Sequence, residues 1–302
     1  MRSATVFVAL FLFALLFSGA LAEEAAKPHP THQWSNEIPD SKRKNLNLPD
    51  GLVHGEFESS SMKLPVGYAI YLPEAYQDET ERSFPVVLHL HGGRPGDETK
   101  SIRLAPLIDD AIKRGVIQPT IYVFPNGGPM SWYDYPQFVN GSGETVLIEE
   151  LIPHLKKTYR TREFAIEGFS QGGRGTTRIM LKHPELFVSA APGGSGYAPE
   201  KRVQENDGAE SEKVVFASGY NTWDLLDEYA KRADKDALPI LLWVGTKGFN
   251  YPGNQEYAAR LKELGVPFEW IEGEGVDHSA YRMYESQGDA IMQFHQRFFA
   301  KP

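Results

Sequence analysis

The run Ile166-Glu167-Gly168-Phe169-Ser170-Gln171-Gly172-Gly173 constrains this chain more than any other segment. Before it, Glu163 to Ile166 is short and strand-like; after it, Thr176 to Lys182 is helical and stops at His183-Pro184. A buried strand therefore breaks into a helix at a serine. Side chains at the flanking positions would collide in so sharp a turn, so Gly168 and Gly172 stand there. The turn forces the serine into a strained backbone and lifts its hydroxyl clear of the sheet. It then sits at a helix N-terminus, where developing negative charge is stabilised. The pattern is the G-x-S-x-G nucleophile elbow and implies a nucleophilic serine rather than an ordinary glycine-rich turn.

The rest of the chain alternates strand and helix patterns. Val53 to Ser59 and Val66 to Leu72 suggest a starting antiparallel pair. Pro85 to His91, Thr120 to Pro125, Phe187 to Ala191, Pro239 to Gly245 and Pro267 to Ile271 are apolar strand candidates. Between them, helices are expected at about Glu144 to Tyr159, Asn254 to Leu264 and Ser286 to Phe299. This alternation predicts an α/β fold with a mostly parallel central sheet and helices on both faces. Right-handed crossovers then gather the loops after the strands on one edge, where sites form. The charged stretch at about 197–238 is too long for a simple connection and reads as an insertion near that edge.

The N-terminus carries Arg2, the apolar run Val6 to Phe17 and the small-x-small Ala20-Leu21-Ala22, a secretory signal over residues 1–22. The mature protein is then expected outside the cytoplasm, secreted or periplasmic, with no membrane span after cleavage. Residues 23–50 are polar and proline-bearing and read as a tether or loosely packed arm that Trp34 could pin; residues 51–302 form one domain. The chain has no cysteine, so disulfides, a thiol nucleophile and thiolate metal sites are excluded. A formal net charge of −9 argues against a nucleic-acid partner.

A serine nucleophile needs a base, an orienter and an oxyanion hole. His278, in the loop Gly273 to Ser279 after the final strand, has the position and chain order expected of the base. The other histidines lie in strands, helices, helix ends or the arm. The oxyanion hole is expected from the N–H of Gln171 and one from the glycine loop at Gly92 and Gly93. His89 and His91 form an H-x-H pair, but no third ligand stands nearby in sequence, so no metal or other cofactor is expected.

With these residues in place the chain resembles the putative esterase family of α/β-hydrolases, which contains feruloyl and acetylxylan esterases, S-formylglutathione hydrolase and the mycolyltransferases. The matching stretches are Leu88 to Gly93, Glu150 to Pro153, Gly168 to Gly173, His183 to Phe187, Val244 to Thr246 and His278, in family order from about Val66 onward. The resemblance implies Ser170 as nucleophile, His278 as base, and N–H groups near Gly92 or Gly93 and at Gln171 as the oxyanion hole. One position departs. Members often carry an acid as Gly-Thr-x-Asp, whereas this chain reads Gly245-Thr246-Lys247-Gly248. Asp224 is favoured as the acid, with Asp227 beside it; Asn250 as acceptor, or no orienter at all, are the alternatives. Asp277 is too close along the chain to reach the ring.

These residues predict a serine hydrolase cleaving carboxylic esters through an acyl-enzyme, on a small-molecule or polysaccharide-linked substrate. An acyltransferase on the same site and a non-catalytic protein that kept the fold are the other readings. Oligomeric state is not legible.

Overall fold

The computed structural model describes residues 32–135, 138–205, 209–211, 214–215, 220–235 and 237–301, with 202–205, 209–211 and 214–215 described by backbone alone. The expected signal segment and arm residues 23–31 lie outside the described residues. The strands are β1 Leu52–Ser59, β2 Leu64–Tyr71, β3 Phe84–Leu90, β4 Ile121–Pro125, β5 Thr161–Phe169, β6 Ala190–Gly193, β7 Ala209–Ser211, β8 Val214–Val215, β9 Leu241–Gly245 and β10 Glu269–Gly273. The helices are α1 Asp40–Asn45, α2 Ala75–Asp78, α3 Ala105–Lys113, α4 Gly143–Thr145, α5 Ile152–Thr158, α6 Gln171–Lys182, α7 Tyr197–Glu205, α8 Thr222–Tyr229, α9 Tyr251–Glu263 and α10 Ala280–Gln296.

Eight strands form one sheet in the order β1-β2-β4-β3-β5-β6-β9-β10. β1 and β2 are antiparallel, β2 runs antiparallel to β4, and the remaining neighbours are parallel. This is the α/β-hydrolase fold that the sequence led us to expect. Its inner strands β3, β4, β6 and β9 are buried along their whole length because both faces are covered. Alternation along β3 shows the division: Val86, Leu88 and Leu90 join the core under α5, α6, α8 and α9, while Val87 faces the opposite core under α3 and α10.

Two elements differ from the sequence reading in ways that matter for the site. The helix expected at 144–159 contains a π-helical stretch, Val146–Leu151, between α4 and α5. Pro153, just inside α5, has no N–H to give the ordinary i−4 carbonyl, so a wider turn precedes it. The last helix begins at Ala280 rather than Ser286. Ser279 caps it by accepting from the Arg282 N–H at 3.3 Å, so α10 starts directly after His278.

The arm is fixed from His32 onward. Trp34 is buried, its Nε1 donates to Asn140 O at 3.1 Å, and its carbonyl accepts from Gly67 N–H at 2.6 Å. The stretch 197–238 holds α7, the β7–β8 ribbon and α8. Among the described residues no helix is long and apolar enough to cross a membrane.

Candidate active site

Ser170 has φ 61° and ψ −114°, a left-handed region that L-residues avoid. Its N–H donates to Gly193 O at 2.9 Å, and its carbonyl accepts the first bond of α6 from Arg174 at 3.0 Å. Two glycines let α6 lie this close to the sheet. A Cβ on Gly172 would stand 1.9 Å from Leu90 O, and one on Gly173 would stand 2.4 Å from Gly193 O. The serine is thus held at the end of β5, with the unpaired N–H groups of the first turn of α6 behind it.

His278 arrives from the neighbouring edge. β10 ends at Gly273, and the turn that follows is stitched to the turn after β9 by Lys247 N–H to Val276 O (2.9 Å) and Gly275 N–H to Thr246 Oγ1 (2.9 Å). Capped α10 then fixes the other side of the histidine. The outcome is His278 Nε2 at 2.9 Å from Ser170 Oγ. Burial of the ring pushes its pKa below the ordinary histidine value, against an opposing pull from Asp277, so the imidazole is neutral and can accept the serine proton. The sequence-predicted nucleophile and base are brought together across 108 residues.

The glycine loop lies against the same serine. A Cβ on Gly92 would meet Ser170 Cβ at 3.1 Å and Phe169 O at 2.9 Å, so the close approach requires glycine. His91 orients this loop. Burial holds the His91 pKa at about 3, so the ring is neutral. Its Nε2 accepts from Gly127 N–H at 3.0 Å, which leaves the Nδ1 proton for Gly92 O at 3.1 Å. Pinning that carbonyl places the Gly93 N–H on the opposite side of the planar Gly92–Gly93 peptide. Gly93 itself has φ +81°. His89 turns to Glu167 instead, so the two histidines of the H-x-H pair serve different partners. Gln171, first residue of α6, has its side chain held by Arg174, whose Nη2 donates to Gln171 Oε1 at 2.8 Å.

The predicted acid is not brought to the site. Asp224 lies on α8, which Asn221 caps by accepting from Trp223 and Asp224 N–H at 3.0 Å each. Trp223 fixes the helix by donating to Tyr197 O at 3.0 Å. Asp224 then lines a surface cleft of about 650 Å³ with Asp227, Arg260 and Leu264. Arg260 on α9 and Leu264 just after it stand ten or more positions beyond Asn250, where α9 begins near His278, a run of about 15 Å along a helix. Asp227 pairs with Arg260 at 2.7 Å. Asn250 is also engaged elsewhere, donating to Gly194 O at 2.8 Å. Asp277 points away to Arg282 at 3.2 Å. Beside the histidine stands Gly248, whose added Cβ would lie 3.7 Å from His278 Cα. Among the described residues, Ser170 is the hydrogen-bond partner of the His278 ring.

Aromatic rings flank that imidazole. The Phe169 centroid lies 4.7 Å away and the Phe249 centroid 4.2 Å away. Sequence reasoning missed both. Phe169 was visible only as the x of the elbow, and Phe249 only as the residue after the glycine. Trp132, Tyr133 and Tyr135, in the loop after β4, are buried: Trp132 donates from Nε1 to His91 O at 3.0 Å, and the tyrosines pack with Met130, Phe138 and Tyr220.

A second serine–histidine–carboxylate chain lies in the core. Ser189 Oγ is 2.8 Å from His295 Nδ1, and His295 Nε2 is 3.4 Å from Glu167 Oε2. All three residues are 0% exposed, so no ester carbonyl can reach Ser189. Burial would push Glu167 up, but the His295 ring at 3.4 Å, the His89 hydrogen bond and the attraction of both hold it at about 2. With Tyr284 also donating to Glu167, this cluster ties the base of the elbow strand to β3 and α10. Its role is positional: it anchors the two elements that carry Ser170 and His278.

Comparison with known proteins agrees with this geometry. The Esterase family model, described as putative esterase, matches residues 59–287. Esterase Rv1288 of Mycobacterium tuberculosis is 31% identical over 155 residues, 49% of this chain and 33% of that protein. An endo-1,4-beta-xylanase/feruloyl esterase of Xylanibacter ruminicola is 29% identical over 156 residues, 49% of this chain and 21% of that protein. The chain therefore matches a third or less of the length of these curated relatives. Among solved structures, a ferulic acid esterase superposes with a TM-score of 0.67 at 19% identity, over 82% of this chain and 98% of the other. The S-formylglutathione hydrolase FrmB of Staphylococcus aureus superposes with 0.63 at 18%, over 80% and 98%. Those structural likenesses speak to the fold. The family model spans most of the chain and takes in both Ser170 and His278, and the chain belongs to the putative esterase family of α/β-hydrolases.

Proposed function

We propose that this chain is a serine esterase acting on carboxylic esters. Ser170 Oγ attacks the ester carbonyl while His278 Nε2 takes its proton. The oxyanion is received by the N–H of Gln171 and by an N–H of the Gly92–Gly93 loop. His278 then returns the proton to the leaving alkoxide, which departs as the alcohol. Water, deprotonated by the same imidazole, attacks the acyl-enzyme and frees Ser170. The observation that carries this reading is a serine at φ 61° with a neutral histidine 2.9 Å from its hydroxyl.

The feruloyl esterase names among the relatives support an acyl group carried on plant polysaccharide as the substrate. The apolar run Val6 to Phe17 and the Ala20-Leu21-Ala22 pattern support export to a compartment where such a polymer is met.

Hydrolysis of p-nitrophenyl acetate tests the reaction. Ser170→Ala and His278→Ala are each expected to lower kcat by about 10³-fold or more, since the two groups act as a unit. Asp224→Asn is expected to leave kcat within about twofold, as surface changes remote from chemistry do. Undiminished turnover in Ser170→Ala would overturn the assignment.

A further inference from the structure

The His278 ring lacks a carboxylate partner among the described residues, yet it is aligned at 2.9 Å on Ser170. In a serine triad the acid holds the tautomer, fixes the ring plane and stabilises the imidazolium. Something else must do this here. Phe169 and Phe249 lie against the ring with centroids 4.7 and 4.2 Å away, tilted by 36° and 49°. Phe169 is itself stacked on Trp243 at 5.3 Å, so that ring has a rigid backing. Phe249 is 76% exposed, more than any other large apolar side chain among the described residues. A phenylalanine left in water at that position gains little for stability, while its contact with the imidazole is close.

We propose that Phe249 is a positioning residue for His278: with Phe169 it clamps the imidazole at the site where Gly248 supplies no carboxylate. The two rings restrict rotation of the imidazole, and an aromatic face beside it attracts the imidazolium formed when Ser170 gives up its proton. The inference rests on the Ser170–His278 reading above. Gly248 is the other half of the device. Its backbone is free of left-handed strain, and its missing Cβ would face His278 N and Cα at 3.7 Å, with 3.1 Å to Gly245 O. A carboxylate introduced there would take over the holding role after a shift of a few tenths of an ångström.

The test compares p-nitrophenyl acetate kinetics in the parent, Phe249→Ala, Phe249→Trp, Gly248→Asp and the double variant Gly248→Asp/Phe249→Ala. Phe249→Ala is expected to lose about 10- to 100-fold in kcat with KM unchanged, the size of effect that misplacing a catalytic group produces. Phe249→Trp keeps the ring face and is expected to stay within about threefold. In the Gly248→Asp background the loss from Phe249→Ala is expected to shrink below about threefold, because the two devices act on one ring. A rise in KM with kcat intact would make Phe249 a substrate wall, and equal losses in both backgrounds would show independent roles; either result overturns the proposal. If Gly248→Asp does not fold, the kcat loss in Phe249→Ala and its recovery in Phe249→Trp decide. If the parent shows no hydrolysis, the esterase reading fails separately, and histidine-labelled NMR decides the clamp. The parent is then expected to show one fixed His278 tautomer with ring contacts to both phenylalanines. Phe249→Ala is expected to show exchange, and an unchanged spectrum would overturn the clamp.

Discussion

Ser170 adopts a backbone conformation that costs about 1–3 kcal/mol, and it is tolerated because Gly193 O, the start of α6 and two glycines over-determine it. Single side chains decide the chemistry around it. Burial lowers the His278 pKa from 6.5, so the free base survives below that pH and the acid limb of kcat/KM is expected under pH 6.5. Asp277 pulls the other way, so Asp277→Asn is expected to move that limb to still lower pH. A pH–rate profile checks both statements, and a limb displaced upward by Asp277→Asn would contradict them. That no described aspartate serves His278 was not legible from residues alone. Asp224 had a suitable position in chain order, but its side chain follows a helix whose packing Trp223 and Asn221 set.

At the scale of elements, the elbow works because α6 touches β3. Gly172→Ala would drive a methyl against the Leu90 carbonyl, at 1.9 Å before any shift. Overpacking of this kind costs about 1–3 kcal/mol, and the displaced helix is expected to take Ser170 out of line, lowering both Tm and kcat. Beneath it, Glu167 joins β5 to β3 and α10 through His89, Tyr284 and His295. Its folded pKa of about 2 lies below the ordinary glutamate value of 4.5, so its contribution is full above pH 4.5 and lost as pH falls toward 2. Glu167→Gln removes a fully buried charge partner and is expected to cost about 3–5 kcal/mol in a denaturant titration near neutral pH. A midpoint unchanged from the parent would show that the cluster contributes nothing.

These elements also show where sequence is legible and where it is not. Strand periodicity, the elbow and the order serine-then-histidine are local or ordinal signals, and they lead directly to β5, α6 and His278. The Glu167 cluster joins four segments far apart in sequence, and only the strand order brings them together. The start of α10 turned on one capping serine, Ser279, whose hydroxyl competes with the periodicity used to place the helix.

Over the whole molecule, buried ion pairs and the arm fasten the periphery to the sheet. Glu200 on α7 receives Arg178 at 2.7 Å and Arg174 at 3.1 Å, and accepts the Thr222 N–H and hydroxyl at the start of α8. Glu200→Ala would leave two buried guanidinium groups without this partner, and a loss of about 3–5 kcal/mol is expected from thermal or chemical unfolding. An effect under 1 kcal/mol would mean that water enters the cluster, roughly the value of an exposed pair. Toward the N-terminus, Trp34 packs on Gly128 beside the loop that supports His91, so the arm from His32 onward belongs to the folded unit.

Among the described residues two serine–histidine pairs thus stand out, one strained at the sheet edge and one sealed in the core. Labelling with a fluorophosphonate, followed by peptide mass mapping, separates them directly. A stoichiometric adduct on Ser170 is expected, absent in His278→Ala, with Ser189 unmodified. An adduct on Ser189, or none on the folded parent, would contradict it.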